Sequence, residues 1–127
     1  MKVERMRFNK KGINTLLSPL ETDTLMLLWK MDQSKVKDLH IVLKKDKNVA
    51  LTSVAVILDR LHQKGIVDRT IEKGRGGGHY IYSAKSSKEE FEESIVDSTV
   101  NKLINNFGST AVNYFNKRFS KKVGRNN

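Results

Sequence analysis

The chain has 127 residues, enough for one compact domain with an extension. Its 24 Lys and Arg outnumber 14 Asp and Glu, and a net charge of +10 points to a polyanionic partner without separating DNA from RNA or an anionic membrane. There are no cysteines, so disulfide frameworks, cysteine zinc sites and thiol catalysis are excluded. No apolar run approaches the roughly 20 residues of a membrane span, and Ile13–Leu20 is too short and interrupted for a signal-peptide core. The expectation is a cytoplasmic protein with no membrane association.

Residues 1–17 form a basic lead-in (Lys2, Arg5, Arg7, Lys10, Lys11) without clear periodicity. It reads either as a tail or as a first turn folding back; its functional reading is an arm that touches phosphates or enters a minor groove. Ser18-Pro19-Leu20-Glu21 then gives a helix start, with Ser18 at the N-cap, Pro19 at N1 and Glu21 closing a capping box. The helix that follows is apolar nearly all round (Leu20, Leu25, Met26, Leu27, Leu28, Trp29), which predicts burial on more than one side, with Trp29 as a core anchor.

Met31–Lys35 reads as a connection, with Val36 in a short strand. Residues 38–43 read as a second helix with Leu39, Val42 and Leu43 inward, and His40 as a surface or capping residue. A polar turn, 44–48, leads into Val49–Gly65. There Val54, Ile57, Leu58 and Leu61 share one side at helical spacing. The opposite side carries Thr52, Val56, Asp59 and Gln63, flanked by Ser53, Arg60 and Ala55. Thr52 is the expected N-cap and Gly65 the expected residue after the C-cap. Alone, this is an ordinary amphipathic helix; after a short helix and a tight turn, it matches the second helix of a helix-turn-helix.

Residues 66–72 and 79–83 alternate as strands around a glycine-rich turn, Lys73–Gly78. A hairpin directly after such a helix is the order of a winged helix. Its tip offers Lys73, Arg75 and bare glycine N–H groups to a phosphate backbone. The glycine run is not a P-loop, because no Gly-Lys-Ser/Thr follows, nor a dinucleotide fingerprint, because a strand follows instead of a helix.

A further helix opens at Ser86 or Ser87, each with a glutamate three residues on. Phe91, Ile95, Val96, Val100, Leu103, Ile104 and Phe107 give it an apolar stripe over five turns, ended by Gly108. Ser109 or Thr110 caps a shorter helix carrying Val112, Phe115 and Phe119, and 121–127 reads as a polar, frayed end. This apolar surface either folds back on its own domain or pairs with a second copy. Dimerisation is the favoured reading, and two heads related by a two-fold axis would read a palindrome.

At this point the chain resembles the penicillinase-repressor family, the BlaI/MecI/CopY group of winged-helix regulators. The matching residues are Leu20-Glu21, Met26 and Trp29; Val49-Ala50-Leu51-Thr52-Ser53-Val54; Leu58-Asp59-Arg60-Leu61 with Lys64-Gly65; Tyr80-Ile81-Tyr82-Ser83; and Leu103 to Phe107-Gly108 with a later aromatic. The resemblance spans Leu17 to Phe115, with MarR-like winged helices the nearest confusable group. It implies a homodimer that represses transcription from a palindromic operator, with Thr52, Ser53 and Arg60 facing DNA. The copper-sensing branch resembles a switch built on C-terminal cysteines, which this chain lacks. The β-lactam branch is relieved by proteolysis in the C-terminal helices; Asn113-Tyr114-Phe115 lies in the comparable region without a matching cleavage signature.

The expected architecture is mainly α with a small β-hairpin wing: a winged helix-turn-helix over 18–85 and dimerisation helices over 86–127, after a basic arm over 1–17. Base reading falls to Thr52, Ser53, Ala55 and Val56. Phosphate or sugar contact falls to Arg60, Lys37, Asn48, Arg69, Lys73, Arg75 and part of the arm. Dimerisation falls to the stripe from Phe91 to Phe107 with Val112 and Phe115. No catalytic cluster, metal site or cofactor is expected, and the sequence names no effector. The alternative is a non-specific nucleic-acid architectural protein or a winged helix used for protein contact, which a shallow sequence dependence and a steep salt dependence of binding would reveal.

Overall fold

The computed structural model describes residues 5–74 and 76–124, with side chains to residue 120. A 3-10 turn, Gly12–Thr15, precedes α1 (Pro19–Met31), β1 (Gln33–Lys35), α2 (Val36–Leu43), α3 (Leu51–Gln63), β2 (Val67–Gly74), β3 (Gly77–Ala84), α4 (Lys88–Phe107) and α5 (Ser109–Gly124). The strands form one antiparallel sheet in the order β1-β3-β2. The expected class, mainly helical with a hairpin wing, is the one observed, with the third strand added.

Local chemistry sets most boundaries. The Ser18 hydroxyl accepts from the Glu21 N–H at 3.2 Å, while the Glu21 carboxylate accepts from the Ser18 N–H at 2.9 Å. The same reciprocal pair forms between Ser87 and Glu90, which settles the choice at the start of α4. Gly65 stands at φ +76°, where its N–H reaches the His62 carbonyl and the Ile66 N–H reaches that of Leu61. This Schellman closure ends α3 as Gly65 predicts.

Several boundaries differ from expectation. The short strand is Gln33–Lys35, and Val36 is the first residue of α2. Only the non-local pairing of Ser34 with Tyr82 makes this polar triplet a strand. The backbone of α5 is capped by the Gly108 carbonyl, which accepts from Ala111 and Val112, so neither Ser109 nor Thr110 is the cap. That helix also continues through 121–124, where a frayed end is expected, with 125–127 outside the described residues.

The core is built from Leu25 and Leu28 of α1, Leu39 and Leu43 of α2, the inner face of α3, Tyr82, and Phe91 and Ile95 of α4. Met26 is exposed, so α1 is not buried all round. Trp29 anchors as expected: its indole N–H donates to the Ser86 carbonyl at 2.8 Å and its ring lies 6.0 Å from Phe91. Ile13 and Leu17 are also buried, so the described part of the lead-in packs on the core. Arg7 donates to the carbonyls of Asn14 and Leu17 there, which leaves it facing the protein's own backbone. No described helix is long and apolar enough to cross a membrane.

Candidate nucleic-acid interface

Helix α3 has the two faces that its spacing predicts. Val54, Ile57, Leu58 and Leu61 are buried. Thr52, Ser53 and Arg60 are exposed, Ala55 is half-buried, and Val56 keeps 50% of its surface. Thr52 is not the N-cap. The helix begins two residues earlier, with Ala50 at the N-cap in extended conformation and its carbonyl accepting from Ser53 and Val54. Thr52 is therefore the second helical residue, and its side chain belongs to the outer face instead of closing the end. With no side-chain cap and no acid in its first turn, this N-terminus can receive a phosphate.

Its mount is specific. The His40 Nε2–H donates to the Val49 carbonyl at 2.8 Å, pinning the turn to α2. Lys47 pairs with Asp23 of α1 at 2.7 Å, and that bond raises the lysine above its ordinary pKa. At the far end Lys64 pairs with Glu21 at 2.9 Å. Burial pushes the Glu21 carboxyl up, but the Lys64 ammonium and the Ser18 N–H and hydroxyl together hold it below its ordinary value. The acids of α1 thus grip α3 just before its start and just after its end.

The wing pairs Arg69 with Tyr82 and Ile71 with Tyr80 across β2 and β3. Arg69, expected at phosphate or sugar, has its described contacts within the protein. Its guanidinium is 2.9 Å from the Asp59 carboxylate, 3.3 Å from the Tyr82 hydroxyl and 4.2 Å from the centre of the Tyr80 ring. The Tyr82 hydroxyl and Asp59 hold it further above its ordinary pKa. The opposite charge of Asp59 on α3 and the aromatic face of Tyr80 on β3 give this cation partners within the fold. The Asp59 carboxylate thus links α3 to the wing, and it also accepts from Gln63 one turn further along α3 at 2.8 Å.

The other predicted contacts divide by element. Lys37, at the start of α2, shares a cleft with Thr52 and Ala55. Asn48 lines a depression with Ser53 and the start of α1. Lys73 is exposed on the distal part of β2, and Arg75 lies outside the described residues. Sequence reasoning misses His79 and Tyr80, which close the cleft beside Thr52. The alternation of β3 was a usable signal for Tyr80, since it shares a strand face with buried Tyr82. It also misses Leu51, exposed at the first position of α3.

In the C-terminal helices the stripe splits. Phe91 and Ile95, expected at a dimer interface, belong to the core of their own domain. Beyond them Val96 and Phe107 are each 62% exposed, Leu103 and Val112 are exposed, and Val100, Ile104 and Phe115 are half-buried. Phe115 stacks on Phe119 with ring centres 6.3 Å apart. Among the described residues no cluster of His, Asp or Glu is placed to hold a metal ion.

A three-stranded sheet behind a helix-turn-helix, with the outer face of the second helix left open, defines a winged helix. Solved structures share this fold. A possible transcriptional regulator from Methanosarcina mazei Go1 is 18% identical, with 86% of this chain and 78% of that one covered and a TM-score of 0.50. The complex structure of hsRosR-S1 is 13% identical, covering 87% and 96% with a TM-score of 0.50. No curated protein matches significantly. Residues 17–123 match the penicillinase repressor family, and the chain belongs to it. It is a DNA-binding transcriptional regulator and not an enzyme.

Proposed function

We propose that the protein is a cytoplasmic homodimeric repressor that reads a palindromic operator. The observation that carries this is the outer face of α3, where Thr52, Ser53 and half-exposed Val56 stand opposite a fully buried face. Hydroxyls and small methyl-bearing side chains suit base edges in a major groove, including the thymine methyl. Arg60, Lys37, Asn48, Lys73 and Arg75 contact phosphate or sugar. Residues 18–85 act as the reading head and 86–127 as the dimerisation region, with 1–17 as an N-terminal segment. Val96, Val100, Leu103, Ile104, Phe107, Val112 and Phe115 make the dimer contact, since their apolar surface extends beyond the domain core.

The test is titration against DNA upstream of its own and neighbouring genes, beside a scrambled duplex, at two salt concentrations. Preference for one upstream segment by about a thousandfold or more supports operator reading. Equal affinity for all duplexes, including fragments pulled down genome-wide, removes it.

A further inference from the structure

The cleft between α3 and the wing has a chemistry that DNA contact does not require. Its volume is about 570 Å³, within the range of small-molecule sites. Val36, Leu51, Ala55 and the Tyr80 ring make its walls chiefly apolar, with Lys37 and His79 as polar members. Arg69 over Tyr80 and the Tyr82 ring 6.0 Å away hold that wall in place. Lys35 also lines the cleft, but Glu72 pairs with it at 3.4 Å. Lys37 is exposed and takes part in no ion pair among the described residues.

A phosphate backbone is bound by cations and N–H groups and gains little from apolar walls. A flat aromatic body with one carboxylate uses both halves of this cleft: the ring against Leu51, Ala55 and Tyr80, the carboxylate on the Lys37 ammonium. We propose that the cleft is an effector site for a small aromatic carboxylate, whose occupancy competes with DNA. Thr52 and Ala55 are shared between the cleft and the DNA-reading face, so a ligand seated there blocks the face. This regulatory half rests on the proposed DNA-facing orientation of α3, whereas ligand binding itself does not.

The probe is 2-naphthoate, titrated into DNA-free protein and followed by amide NMR, beside the neutral 2-naphthamide. Saturable shifts at Lys37, Leu51, Ala55 and His79 are expected, with naphthoate binding at least about tenfold tighter, as a charge-assisted bond requires. Lys37→Gln should erase that preference, and His79→Trp should weaken both ligands by filling the space. No saturable shift, shifts elsewhere, or equal affinity for the two ligands overturns the site. Competition is read separately with a short duplex at low salt, where a basic protein binds any sequence. Saturating naphthoate should weaken duplex binding, and His79→Trp should abolish that effect. Ligand binding that leaves DNA affinity unchanged overturns the competition while sparing the site, and failure to find an operator affects neither readout.

Discussion

The Arg69 guanidinium lies 2.9 Å from the Asp59 carboxylate, joining the first strand of the wing to the third turn of α3. This pair ties the wing to α3, and it changes what a mutation at Arg69 should do. A phosphate contact adds about 0.9 to the salt slope of DNA binding. Lys73→Ala should therefore lower the slope by about 1, weakening all sequences alike. Arg69→Ala should leave the slope unchanged and reduce the preference for operator over scrambled DNA. Binding isotherms across a salt series check both, and a drop in slope for Arg69→Ala would return that residue to the phosphate set.

Val56 makes the sharpest test of the α3 orientation. Its exposure allows Val56→Asp without disturbing the core, so circular dichroism and the melting midpoint should stay close to wild type. Operator affinity should fall at least tenfold, the scale of about 1–3 kcal/mol for one mismatched base pair. Unchanged operator affinity would mean that this face does not meet the bases.

Glu21 makes stability depend on pH in a stated direction. Its folded pKa is lowered, so its contribution is present above its ordinary value of 4.5 and is lost as pH falls through the folded value. Glu21→Ala should cost about 1–3 kcal/mol at neutral pH, through the lost Lys64 pair and half of the capping box. The difference between variant and wild type should shrink below pH 4.5. Urea unfolding at several pH values measures it, and a pH-independent difference would contradict the linkage.

Phe107 tests assembly. It is 62% exposed and lies past the part of α4 that joins the core. Phe107→Glu should convert a dimer to a folded monomer in analytical ultracentrifugation and weaken palindrome binding while sparing affinity for a half-site. An unaltered dimer would move the interface elsewhere.

What the sequence made legible was chiefly local. The capping boxes of Ser18 and Ser87, the Schellman glycine and the two faces of α3 depend on residues within a few positions of one another. Strand β1 was hidden because Gln33-Ser34-Lys35 has no apolar pattern and becomes a strand only against residues 81–83. The role of Arg69 was hidden for the same reason: charge reveals a cation, and the fold chooses its partner. In α4, one unbroken stripe serves two surfaces. Periodicity finds the stripe, but the position of the domain edge decides that Phe91 and Ile95 fall inside it.

The grip of α1 on α3 has an electrostatic consequence. Asp23 and Glu21 neutralise Lys47 and Lys64, cations that bracket the helix in sequence. Two positive charges of this basic chain are thereby screened by neighbouring carboxylates. An approaching polyanion finds little attraction at these paired sites and more at unpaired lysines such as Lys37, so the helix that holds the reading element also biases the direction of capture.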